Sequence, residues 1–177
     1  INLVHYFWPS LLDIPGFIKI FITPAVKVSN RANNKVISFY TLEDYNNWKL
    51  SVSASRDIVK WNIKYYKGLG TNSSIEAKEY FRDLDEHIIS FYNTKKSTDA
   101  IYLGFAKEKA DERKKWLQNY DPAQILDYTK KNISFFDFIN KELIHFSNYD
   151  NIRSIPNLID GLKPSQRKVL YSAFKRN

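Results

Sequence analysis

Residues 152–168 read IRSIPNLIDGLKPSQRK, and this stretch sets the reading of the whole chain. From Arg153 to Asn177 the basic residues are Arg153, Lys163, Arg167, Lys168, Lys175 and Arg176, against the single acid Asp160. Pro164 follows Lys163 directly. Proline is favoured at the first helical position, where its missing N–H is no loss. The order predicts a helix from Pro164 onward, with Lys163 at its start and Arg167 one turn further along the same face. A helix start carries unpaired N–H groups and partial positive charge, so it favours anions, and lysine and arginine there add to the effect. Val169, Leu170 and Phe174 fall on the apolar side and are predicted core. On charge alone, a solvated amphipathic helix end is the better account of the polar face. The pattern upstream changes that balance.

Four further stretches stand in order before it: WNIKYYKGLGT at residues 61–71, EAKEYFRDLDEH at 76–87, FAKEKADERKKWL at 105–117, and FINKELIHFSNYDN leading into the basic block at 138–151. Together with HYFWPSLL and FIKIFITPAVKV near the start, they resemble the DNA-cleavage core of type IIA DNA topoisomerases in the eukaryotic and large-virus form. The resemblance spans nearly the whole chain and is weakest over residues 29–55 and 118–131.

Composition is that of a globular protein: 44% hydrophobic and 26% charged, with five glycines and six prolines in 177 residues. Methionine is absent and the chain starts in mid-pattern, so it reads as an internal piece of a longer protein. Zero cysteine excludes disulfides, a cysteine nucleophile and a zinc–thiolate site. The apolar N-terminus is too short and interrupted for a membrane span and lacks the layout of a signal peptide. A net charge of +8 favours an anionic partner, nucleic acid being the commonest.

Coarse periodicity gives an α/β order followed by mainly helix. Residues 3–12 read as the end of a helix. Residues 17–28 alternate as a strand interrupted at Pro24. Residues 31–34 are a polar turn before a second strand, 35–40, and Thr41 caps a helix over 42–55. A third strand, 61–66, leads into the turn Lys67-Gly68-Leu69-Gly70-Thr71. Ser73 with Glu76 is a capping box. It opens a helix whose stripe is Ala77, Tyr80, Phe81, Leu84 and Ile88. One helix is predicted over 100–117. Ser134 with Asp137 caps another over 135–147, and residues 148–155 are predicted extended or turned.

The glycine turn at 67–71 fails as a Walker A loop, which needs four residues between its glycines and then Gly-Lys-Ser/Thr. It reads either as a strand-to-helix turn or as a place where Lys67 meets a nucleic-acid backbone. The run from Lys107 to Trp116 is a mixed-charge helix face, with Asp111 placed to pair with Lys107 or Lys115. Arg113 and Lys114 are left over. Asp83 and Asp85 point apart on a helix and read as surface acids. His5, His87 and His145 show no ligand spacing. None of the twelve tyrosines follows an arginine, and no acidic metal motif is present.

The resemblance implies more. It makes Arg113, Lys114 and Lys163 the first candidates for DNA phosphate contacts, followed by Lys67, Arg153, Arg167 and Lys168. It implies the end of a TOPRIM domain at residues 1–28, an α/β extension with linking helices at 29–131, and the start of a winged-helix domain at 132–177. It implies an ATP-dependent type II DNA topoisomerase, acting on double-stranded DNA as a homodimer, with Mg²⁺ and ATP bound outside this chain. Catalytic and metal-binding residues are then expected outside it too. No membrane partner is expected. Localisation would be nuclear for a cellular protein, and host cytoplasm or nucleus for a viral one. The alternatives are a non-catalytic module that binds double-stranded DNA and, less favoured, a structural scaffold with solubilising charge.

Overall fold

The computed structural model describes residues 1–30, 32–53, 60–66, 70 and 72–176. In chain order the elements are α1 (Asn2–Phe7), β1 (Lys19–Phe21), β2 (Val26–Asn30), β3 (Val36–Phe39), α2 (Leu42–Ser53), β4 (Trp61–Tyr65), α3 (Ser74–Arg82), β5 (Ile88–Tyr92), α4 (Ser97–Phe105), α5 (Ala110–Gln118), β6 (Asn132–Ser134), α6 (Phe135–Phe138), α7 (Ile144–Ser154) and α8 (Pro164–Lys175). A π-helical stretch, Ile139–Leu143, joins α6 to α7. No helix among the described residues is long and apolar enough to cross a membrane. The chain divides into two compact units, Lys19–Ser90 and the remainder, Ile1–Ile18 with Phe91–Asn177.

In the unit Lys19–Ser90, an antiparallel sheet runs in the order β3-β2-β4. Alternation in β2 buries Val26 and Val28 and turns Lys27 and Ser29 to the opposite face. Val26 faces Phe39 and Tyr65, and Val28 faces Ile37 and Ile63. Helix α2 covers this apolar side with Tyr45 and Trp48, whose rings lie 5.8 and 5.4 Å from that of Phe39. Thr41 starts α2 as expected, its Oγ1 accepting the Asp44 N–H at 3.1 Å. The alternating stretch around Pro24 is two strands with different partners. β2 pairs with β3 and β4, whereas β1 pairs antiparallel with β5, Lys19 opposite Ser90 and Phe21 opposite Ile88. Proline has no N–H for a ladder, so the chain changes partners there.

The capping box of α3 is present: Ser73 Oγ accepts the Glu76 N–H at 3.3 Å, and Glu76 Oε2 accepts the Ser73 N–H at 2.7 Å. The helix stops at Arg82, short of the predicted stripe. Leu84 lies in a 3-10 turn, Leu84–Glu86, and Ile88 opens β5. Asp83 and Asp85 are exposed, as expected of surface acids.

In the other unit, the Phe91 ring stacks on Phe135 at 5.0 Å and meets the edge of Phe138 at 5.3 Å. Ile101, Ile133, Phe135 and Ile139 are buried with it. Ser134 caps α6, its Oγ accepting the Asp137 N–H at 2.9 Å. Three expectations need correction here. The helix over 100–117 is two helices, separated at Ala106, whose backbone is extended, and a 3-10 turn, Lys107–Lys109. Residues 148–154 are helical, because nothing breaks the helix until Ile155, which precedes Pro156 and is driven to extended angles. Finally, α8 forms from Pro164 as predicted but buries none of its residues. Val169 is 69% exposed, Leu170 44% and Phe174 78%, so these three are not core.

Candidate nucleic-acid interface

Lys163 is the residue before the first turn of α8, and Pro164 takes the first helical position. The Lys163 N–H is accepted by Gln166 Oε1 at 2.8 Å, and its carbonyl accepts the Arg167 N–H at 3.0 Å. Backbone bonding thus fixes Lys163, while its ammonium has no ion pair among the described residues. Lys168, on the exposed side of α8, likewise has none.

The loop before α8 is held by its own polar groups. Asn157 Oδ1 accepts the Ile159 N–H at 2.9 Å, Asp160 Oδ1 accepts the Leu162 N–H at 3.0 Å, and Asn157 N–H reaches the Leu162 carbonyl at 3.0 Å. Gly161 sits at φ +66°, where a side chain is strained, and so closes the turn. The Asp160 Oδ2 accepts from Arg167 Nη2 at 2.6 Å and from Nε at 3.1 Å. The Leu162 amide and the Arg167 guanidinium both hold the Asp160 carboxyl below its ordinary range. Arg167 therefore ties the loop to the helix, and part of its charge is already neutralised. Asn and Asp three apart, followed by glycine, were a turn signal for this loop in the sequence. The pairing across seven residues was not.

Arg153 is engaged too, at 2.6 Å from Asp150 and 5.6 Å over the Tyr149 ring. Arg113 has a different task from the one expected. Its Nη1 donates to the carbonyls of Leu103 at 2.9 Å and Ala106 at 3.0 Å, at the end of α4 where intrahelical donors run out; the Ala106 carbonyl also accepts the Lys109 N–H at 3.3 Å. Lys114 pairs with Asp111 at 2.8 Å, both side chains largely exposed; such a pair is worth little and opens readily to another anion. Lys109 pairs with Glu112 at 2.6 Å. These i,i+3 pairs stand in place of the predicted pairs of Asp111 with Lys107 and Lys115; the 3-10 turn Lys107–Lys109 takes Lys107 out of the α5 register, whereas Lys115 lies in α5 with Asp111 and is passed over in favour of Lys114. Helix α5 packs on α7 and α7 on α8, so Lys114, Arg153, Lys163, Arg167 and Lys168 stand on consecutive packed helices. Lys67 lies outside the described residues.

Two features bear on catalysis. The described residues include no group of three His, Asp or Glu able to hold a metal. His145 is used structurally: Nε2 donates to the Gln124 carbonyl at 2.8 Å, which leaves Nδ1 to accept from the Tyr120 hydroxyl at 2.9 Å. It pins the segment after α5 to α7.

Comparison with known proteins places these features. The family model described as the C-terminal associated domain of TOPRIM matches residues 21–151, and the model for the A subunit of DNA gyrase/topoisomerase IV matches residues 153–177. The chain is 48% identical, over 99% of its length, to DNA topoisomerase 2, mitochondrial, of Dictyostelium discoideum. It is 50% identical over its full length to DNA topoisomerase 2 of Saccharomyces cerevisiae. It spans only 13% and 12% of those two proteins. The crystal structure of the Plasmodium falciparum topoisomerase II DNA-binding, cleavage and re-ligation domain matches with a TM-score of 0.82 at 47% identity, covering 99% of this chain and 23% of that one.

Proposed function

Since the chain belongs to the family of C-terminal associated domains of TOPRIM, we propose that it is the DNA-backbone-binding segment of an ATP-dependent type II DNA topoisomerase. The observation that carries this reading is the start of α8, where the backbone fixes Lys163 and leaves its ammonium unpaired among the described residues. The parent enzyme would cut both strands of one duplex, pass a second duplex through and reseal the first, as a homodimer. When bound, Mg²⁺ and ATP would supply charge stabilisation and the energy of strand passage. The described residues do not fit a metal site. This chain's own residues bind and orient: Lys163, Lys168 and Lys114 offer ammonium groups to phosphates, with Arg153 and Arg167 beside them and Lys67 completing the set, while Arg113 holds the end of α4. Within the parent, residues 1–28 would end the TOPRIM domain, 29–131 extend it, and 132–177 begin a winged-helix domain.

The test is the salt dependence of duplex-DNA binding. Each phosphate contact removed should lower the slope of log K against log salt by about 0.9. Lys163→Ala and Lys168→Ala should each do so with an unchanged melting temperature. An unchanged slope in both variants would reject the assignment.

A further inference from the structure

The face of the β3-β2-β4 sheet that α2 does not cover brings two lysines together. Lys27 on β2 stands directly opposite Lys64 on β4. Like charges in this relation repel and destabilise a sheet. Around them on the same face are Ser38, exposed, opposite Lys27, and Asn62, exposed, opposite Ser29. The Glu76 carboxylate beside them is taken by Lys64 at 2.8 Å and by the hydroxyl of Tyr66. Lys27 has no ion pair among the described residues. Its ammonium lies 4.8 Å from the ring centre of Tyr80 and 5.9 Å from that of Tyr66, and Lys64 approaches the Tyr66 ring as well, at 4.6 Å. Two cations thus gather about one aromatic ring, and the Glu76 carboxylate is already engaged with one of them.

We propose that this polar sheet face, centred on Lys27, is a second contact surface for the phosphate backbone of duplex DNA. A phosphate would supply a counter-charge for Lys27, and the tyrosine faces hold the ammonium groups in place before it arrives. The Ser38 hydroxyl and the Asn62 amide offer neutral donors beside the cations, and backbone contacts of these kinds position a protein without reading sequence. The inference rests on the proposed function above, since it takes DNA as the partner.

Salt titrations with a random-sequence duplex test it, using wild type, Lys27→Gln, Lys27→Arg and a control, Lys49→Gln, at an exposed lysine of α2. Lys27→Gln should lower the slope by about 0.9, so that from 50 to 200 mM salt it loses about threefold less affinity than wild type. Lys27→Arg should restore the slope and Lys49→Gln leave it alone. Labelling of wild-type lysines with an amine-reactive reagent gives a reading that needs no variant to fold: DNA should protect Lys27 several-fold and leave Lys49 unprotected. An unchanged Lys27→Gln slope, an equal fall for Lys49→Gln, or an unprotected Lys27 would each overturn the surface while wild-type binding stood. If wild type shows no salt-dependent binding at all, the proposed function falls, and this surface with it.

Discussion

The β3-β2-β4 sheet with α2 and the segment from Arg153 to Arg176 use similar residues in opposite ways. In the sheet, Val26 and Val28 are completely buried under a cluster of aromatic rings, and the strands are fixed by it. In the last segment, α8 buries nothing, and its order comes from caps, a self-bonded loop and the Arg167–Asp160 pair. Charge follows the same division. Lys64 is spent on Glu76 and Tyr66, which link β4 to the start of α3. Lys163 and Lys168 have no such duty among the described residues. A count of basic residues therefore says little about which of them can meet DNA. The partners that each already has decide it.

Four variants would break or sharpen that contrast. The largest effect belongs to the covered side of the sheet. Phe39→Ala empties a buried site between Tyr45 and Trp48 and should cost about 3–5 kcal/mol, read from urea melts; a loss under about 1 kcal/mol would mean that this core does not hold the unit.

Next is Arg113, a basic residue in the candidate interface but bonded like one in the core. Arg113→Ala removes the charged donor from the Leu103 and Ala106 carbonyls, and Ala106 keeps only the Lys109 N–H. Hydrogen bonds from charged groups contribute about 1.5–3 kcal/mol, so the stability read from melts should fall by that much. A drop in DNA salt slope with no loss of stability would instead make Arg113 a contact rather than a cap.

Glu76 comes third. Burial opposes its charge, but Lys64, the Ser73 amide and Tyr66 outweigh it and lower its pKa from 4.5 to about 2. The folded carboxyl holds its proton less tightly than the unfolded one. Its stabilisation is thus complete above about 4.5 and is lost as pH falls through about 2. Solvent screens the half-exposed Lys64, so the contribution is about 1–3 kcal/mol. Glu76→Gln should be less stable by that amount at pH 7 and should close the gap to wild type between about pH 5 and pH 2. Parallel melting curves over that range would remove the ion pair from the account.

The smallest effect is expected for Leu170→Ala. With 44% of its surface exposed, the substitution should cost no more than about 1 kcal/mol. A loss of several kcal/mol would show that something covers this face in solution.

The sequence by itself determined the local starts and stops. Thr41 with Asp44, Ser73 with Glu76, Ser134 with Asp137 and Lys163 with Pro164 all open helices where expected. Each signal is complete within one helical turn, so no distant residue is needed to read it. The ordered motifs likewise carried the family, as did the basic block at 152–168. Only the tertiary structure decided the rest. The break at Ala106 has no proline to mark it and is completed by Arg113 from the following helix. The exposure of Leu170 and Phe174 depends on what packs against α8, which an amphipathic pattern does not state. The opposition of Lys27 and Lys64 arises from strand register between residues far apart in the chain. Caps are short-range hydrogen bonds written into neighbouring residues. Burial and ion pairing depend on which distant surfaces meet, and that is settled only when the chain folds.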